Sequence, residues 1–127
     1  MRNFVMTSES VTEGHPDKLC DQISDAVVDA YLAAGVEAGV SAECAIATGV
    51  TFLSVRAGAE APVDLAALTR RVMAEAGYPP ETGGAPTVML DLARAPELGT
   101  AALARAHARH MVSAFGYACA GSPTAMP

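Results

Sequence analysis

Leu19, Ile23, Ala26, Ala30 and Ala34 recur at the spacing of one helix face, and Val27 and Tyr31 widen that face. Asp21, Asp25 and Asp29 form an acidic i, i+4 stripe elsewhere on the same turn pattern. Pro16 suits the first helical position, where its missing N–H would have no partner anyway, and Gly35 supplies a stop. The pattern predicts a helix from Pro16 to about Ala34. Residues 40–56 mix alternation with β-branched side chains and predict two strand segments broken or turned near Thr48-Gly49. A second amphipathic helix is predicted over residues 63–76, carrying Leu65, Leu68 and Val72 and closed by Gly77. Residues 78–86 read as a Pro/Gly loop and residues 87–92 as a strand. A third helix is predicted over residues 99–114, with Leu103, Ala106, His110 and Met111 on one side. Residues 4–6 and 115–118 read as short strands at either end. Strands alternating with helices, without long apolar parallel-sheet runs, predict an α+β fold.

Composition adjusts this picture. The chain has 127 residues, enough for one ordinary domain, so a single domain over residues 1–127 is expected. It is 51% hydrophobic, yet only 5% aromatic with no Trp. An Ala-rich core buries little area per side chain, so the apolar surplus points to a partner surface. The formal net charge of −6 disfavours nonspecific binding to nucleic acid or to anionic membranes. Cys20, Cys44 and Cys119 are odd in number and lack CxxC spacing, which reads as reduced thiols in a cytoplasmic protein.

The densest chemistry lies in residues 7–30, TSESVTEGHPDKLCDQISDAVVDA. Here His15, Asp17 and Lys18 surround Gly14 and Pro16 at a helix start. A helix N-terminus offers backbone N–H groups to anions. Lys18 can neutralise phosphate charge. Asp17 can hold Mg²⁺ bridging phosphate oxygens. His15 can donate to an oxygen as leaving-group charge develops. The plain alternative is a well-capped surface helix with ordinary macrodipole chemistry. The full run closely resembles the N-terminal signature of the methionine adenosyltransferase (S-adenosylmethionine synthetase) family. In that family methionine sulfur attacks the ribose C5′ of ATP, the whole triphosphate leaves, and it is then hydrolysed.

The resemblance implies roles residue by residue. Glu9 corresponds to an ATP-contacting Glu, His15 to the catalytic His, Asp17 to the Mg²⁺ ligand, and Lys18 to the motif Lys, which binds ATP and serves catalysis. Ala42-Glu43-Cys44 followed by Thr48-Gly49 resembles the family's CET…TG segment, which makes Glu43 a K⁺ ligand; an exposed strand Glu is the alternative. The implied fold has a mixed or antiparallel sheet with helices on one face, as in one domain plus fragments of the synthetase fold.

Beyond residue 49 the resemblance weakens. Arg56 stands where the family places the Glu that binds methionine's amino group. Thr100 replaces a substrate-contacting Gln. Phe115, Gly116, Tyr117 and Ala118 keep the FGYA that ends the family's mobile loop, but Arg109, His110, Met111 and Val112 precede it in place of the acidic stretch. His107 and His110 are three apart, a spacing that suits a metal but lacks an evident third ligand. The scattered arginines read as a solvated face.

Such an enzyme has three domains woven from noncontiguous segments and an active site between two subunits. The expected function is therefore a small subunit of a split, methionine-adenosyltransferase-like enzyme. It would contribute the ATP-triphosphate and Mg²⁺ wall, with K⁺ as a second cation and a larger synthetase-like chain as partner. The alternative is a non-catalytic regulatory or nucleotide-binding module that associates with such a chain.

Overall fold

The structure is a computed structural model. It describes residues 11–78 and 87–108 continuously, with scattered residues among 5–9 and 111–125. Contacts divide the chain into two units: Thr12–Ala106, and Met1–Val11 with His107–Pro127. The helices and strands of the described residues lie in the first. It comprises α1 (Pro16–Ala33), β1 (Val40–Ala47), β2 (Val50–Ala57), α2 (Leu65–Glu75), β3 (Thr87–Arg94), a 3₁₀ turn (Pro96–Leu98) and α3 (Thr100–Leu103).

β1 and β2 form an antiparallel hairpin whose turn is Thr48-Gly49, with Gly49 at φ +79°. A positive φ is where glycine has no Cβ penalty, so the turn forms at the position the sequence marks. β3 pairs parallel to β2, giving the strand order β1-β2-β3 in a mixed sheet. A parallel neighbour needs a crossover, and α2 provides it. The α+β expectation holds, and both long helices cover one face.

The core forms where α1 and α2 meet that face. Leu19, Ile23, Val27 and Tyr31 of α1 pack with Leu53, Val55 and Ala57 of β2 and with Leu65, Val72 and Met73 of α2. The buried line of α1 therefore steps by four through Leu19 and Tyr31, while Ala34, an expected core position, is exposed. Larger side chains displace alanines from the contact because they remove more apolar area from water. The two buried polar side chains are satisfied: the Thr69 hydroxyl donates to Leu65 O at 2.7 Å, and the Thr51 hydroxyl to Met73 Sδ at 3.3 Å.

The expected helix over residues 99–114 is a correction. Among the described residues of that span, helical structure is the single turn Thr100–Leu103, which buries no residue. Residues 104–105 form a turn and residues 106–108 are irregular. One turn with no apolar face against a core cannot repay helix nucleation, however favourable the alanines. Of the expected strands at residues 4–6 and 115–118 only residues 5, 116 and 118 are described, and most of the loop at 78–86 lies outside the described residues.

Candidate functional site

α1 begins at His15, which caps the helix with extended backbone angles (φ −67°, ψ 133°). Its Nδ1 accepts the backbone N–H of Asp17 at 3.2 Å. With Nδ1 as acceptor, the neutral ring carries its proton on Nε2, which stays free to donate. The His15 N–H donates to Thr12 O at 3.0 Å, and Leu19 N–H donates to His15 O at 2.9 Å. Pro16 has no N–H. Lys18 N–H has no backbone partner among the described residues. Asp17 and Lys18 are exposed, and His15 and Gly14 are half-buried. One imidazole N–H, one ammonium, one open backbone N–H and one carboxylate thus share a single helical turn. The Gly14 carbonyl accepts the Tyr78 hydroxyl at 2.7 Å, tying this turn to the end of α2.

Mg²⁺ commonly binds one or two carboxylates and takes its other ligands from phosphate and water. A lone exposed Asp17 on the same helical turn as Lys18 and the His15 ring fits that habit. No cluster of three or more His, Cys, Asp or Glu that could hold a metal by itself occurs among the described residues.

The other expected site residues are distributed differently. Glu43 is exposed on the sheet face away from α1, directly across from Ser54, whose hydroxyl donates to Asp91 at 3.1 Å. Arg56 lies on the same open face and forms an ion pair with Glu97 of the 3₁₀ turn. The Thr100 hydroxyl donates to the Glu37 carbonyl. α1 runs antiparallel to β1, so His15 sits at the hairpin end of the sheet while Arg56 and Thr100 sit at the other. An 18-residue helix separates the two ends by about 27 Å. Glu9 is exposed and belongs to the other unit. His107 is exposed, and its expected neighbour His110 lies outside the described residues.

Two cavities flank the helices. One, of about 350 Å³, is walled by Glu13, Asp25, Asp29 and Glu75 with Arg71, a charge balance unsuited to a triphosphate. The other, of about 360 Å³, lies by Tyr31, Glu60 and Leu92. Neither of these two is lined by His15, Asp17 or Lys18. Burial, and secondarily the charge of Glu60, raises the Tyr31 phenol above its ordinary range. Cys20 and Cys44 are free thiols, and Cys119 lies outside the described residues. No helix among the described residues is long and apolar enough to cross a membrane.

Sequence reasoning missed the Tyr78–Gly14 and Arg56–Glu97 contacts, which link residues 64 and 41 positions apart. A tyrosine directly after a helix-ending glycine was the available signal for the first.

The sequence model described as "S-adenosylmethionine synthetase, N-terminal domain" matches residues 3–92. That span includes Glu9, His15, Asp17, Lys18, Glu43 and Arg56 and stops short of Thr100. The S-adenosylmethionine synthase of Synechocystis sp. is 35% identical over 145 aligned positions, covering 99% of this chain and 34% of the relative. That of Parasynechococcus marenigrum is 38% identical over 144 positions, covering 100% and 34%. That of Prochlorococcus marinus (strain MIT 9515) is 36% identical over 143 positions, covering 100% and 35%. The alignments exceed the 127 residues of the chain, so the relatives carry extra residues within the matched span. The chain spans about a third of the length of the curated relatives it matches. With that N-terminal match and a capped His-Pro-Asp-Lys turn at its α1 start, the chain belongs to the S-adenosylmethionine synthetase family.

Proposed function

We propose that this chain supplies the triphosphate- and Mg²⁺-binding wall for adenosyl transfer from ATP, in a site completed by a larger synthetase-like chain. The observation that carries the reading is the convergence of His15 Nε2–H, Lys18 and Asp17 on the first turn of α1. The Lys18 ammonium and its open N–H bind the phosphate chain. His15 donates to the oxygen on which charge develops as triphosphate departs, where a preorganised donor lowers the barrier most. Asp17 holds Mg²⁺, which when bound screens the charge of the phosphates. Glu9 adds an ATP contact and Glu43 a K⁺ ligand, as the family resemblance implies.

Arg56 and Thr100 stand some 27 Å from His15 by helix length. One copy of the chain cannot bring both ends to a single ATP and its acceptor. That separation fits a pocket whose second wall comes from another chain. The non-catalytic alternative draws on a different observation: the polar groups of Arg56 and Thr100 are engaged by Glu97 and Glu37 rather than left open for substrate.

Co-expression with a synthetase-like chain, purification of the complex, and assay with ATP, Mg²⁺ and K⁺ test the proposal. His15→Ala and Asp17→Asn are expected to abolish turnover while the complex still forms. Turnover that survives both substitutions refutes the assignment. ATP binding by a complex that never turns over favours the regulatory module.

A further inference from the structure

The Gly14–His15 peptide plane is held at both edges. Its carbonyl accepts the Tyr78 hydroxyl at 2.7 Å, and its N–H donates to Thr12 O at 3.0 Å. The His15 ring is fixed separately, through Nδ1 and the Asp17 N–H. A peptide plane clamped on both sides fixes the N–Cα bond of His15, and φ −67° at His15 then sets the direction in which its side chain leaves the backbone. Tyr78 is itself anchored. Its N–H donates to Met73 O at 2.9 Å, just past Gly77 at φ +91°, and Met73 is buried in the core. Its ring lies near Gly14: a Cβ at that position would meet Tyr78 Cε2 at 3.8 Å, an ordinary van der Waals contact. A rigid path therefore runs from the core, through the end of α2, to the backbone of His15.

We infer that Tyr78 is a positioning residue for His15: its hydroxyl holds the Gly14–His15 peptide so that the imidazole caps α1 through Nδ1 and presents Nε2–H outward. The inference rests on the proposed role of His15, which it deepens by naming what aims that donor. Tyr78 touches no substrate in this arrangement. Its effect on transfer passes through the orientation of the ring, and small misplacements of a catalytic donor cost rate rather than affinity.

Tyr78→Phe keeps the ring and removes the hydroxyl. The first measurement compares the full parent and variant chains in the same assembly state, with the partner bound if the chain self-associates without it, by ¹⁵N NMR of the His15 imidazole and hydrogen exchange of the His15 and Asp17 amides. In the parent chain the His15 nitrogens are expected to report one tautomer, with Nδ1 unprotonated. In the variant they are expected to move toward the average of both tautomers, while exchange at the two amides rises up to about tenfold, the net worth of one hydrogen bond. Superimposable His15 signals in the two proteins overturn the inference. Loss of amide dispersion in Tyr78→Phe also overturns it, because the hydroxyl would then be needed for folding rather than for aim. The second measurement uses the assembled complex, where kcat is expected to fall several-fold with KM for ATP little changed. A changed NMR signature in a complex that lacks ATP turnover overturns the proposed function and leaves the positioning role standing.

Discussion

His15 combines a structural and a chemical duty in one ring. Its Nδ1 caps α1, and its Nε2 remains for a ligand. The two duties can be separated. Asparagine is among the best N-caps, whereas alanine forfeits about 1 kcal/mol. His15→Asn is therefore expected to keep the thermal midpoint of the chain near that of the parent and to abolish turnover of the complex. Equal activity in the variant, at equal stability, would show that the ring serves only as a cap. Arg56 carries a different lesson. Its positive charge is offset by Glu97 beside it. The pair is well exposed, at 59% and 47% for the two side chains, so its loss is expected to change stability by less than about 1 kcal/mol. Cys44 gives a pH-dependent test. Burial first, and the neighbouring Cys20 thiol second, push its thiol up from 9.0 to about 12. The native chain then keeps a proton that the unfolded chain releases. The resulting stabilisation is complete below pH 9 and is lost as pH rises from 9 to about 12. At pH 9.0, where a thiol at that ordinary value is half ionised, iodoacetamide is expected to alkylate Cys44 far more slowly in the native chain than in urea. Equal rates by peptide mass mapping would contradict the protected thiol.

At the scale of elements, the 3₁₀ turn and α3 are strapped to the open end of the hairpin, opposite its turn, by backbone bonds together with the Arg56–Glu97 pair and the Thr100 hydroxyl. Gly39 N–H donates to Leu98 O at 2.8 Å, Ala95 N–H to Ala57 O at 2.8 Å, and Gly58 N–H to Gly39 O at 3.0 Å. A Cβ on Gly58 would run into the Leu98 carbonyl and the Gly99 nitrogen, so the strap closes only over a glycine. Gly58→Ala is expected to cost about 1–3 kcal/mol in urea unfolding, the usual range for forced overpacking, and to speed exchange of the Gly39 amide. A variant as stable as the parent would show that the strap shifts freely. Much of the chain's organisation is legible in its sequence for a physical reason. α1, α2 and the hairpin each carry a periodicity that matches their burial and a glycine at the turn or stop. The third helix was overcalled because alanine propensity favours helix without supplying a face to bury. The parallel pairing of β3 with β2 was not legible, since periodicity says which face of a strand is buried but not which strand lies beside it. The His15–Asp17–Lys18 turn was legible because all its members lie within one helical turn. Tyr78 was not, because its partner is remote in sequence and its role depends on where α2 ends.

At the scale of the molecule, the described helices α1 and α2 cover one face of the sheet of the Thr12–Ala106 unit, and no described helix covers the other. The open face carries Ala45 and Ala47 of β1, Val50 and Phe52 of β2 and Met89 of β3 at its hairpin end, and Glu43, Ser54, Arg56 and Asp91 toward the other. Phe52 is 44% exposed and Met89 54%. β3 also shows Leu90 at 44% and Leu92 at 57% on the helix-bearing face, where α1 and α2 leave them uncovered. Contiguous apolar exposure on a sheet favours association with another chain. Apolar residues divided between the two faces of β3 leave few ways to bury both within one small unit. The isolated chain is therefore expected to self-associate, and a synthetase-like partner is expected to replace that association with a defined complex. Phe52→Lys places a charge in the middle of the open face without touching the core, because Phe52 points away from Leu53 and Val55. In sedimentation velocity it is expected to shift the isolated chain toward monomer, with an unchanged far-ultraviolet circular dichroism spectrum. Co-expressed with the partner, the same variant is expected to lower the yield of complex if the open face is the surface that the partner covers. A parent chain that sediments as a monomer at all concentrations, and ignores a synthetase-like partner, would mean that the exposed residues are tolerated in water and that the site at α1 is not completed by another chain.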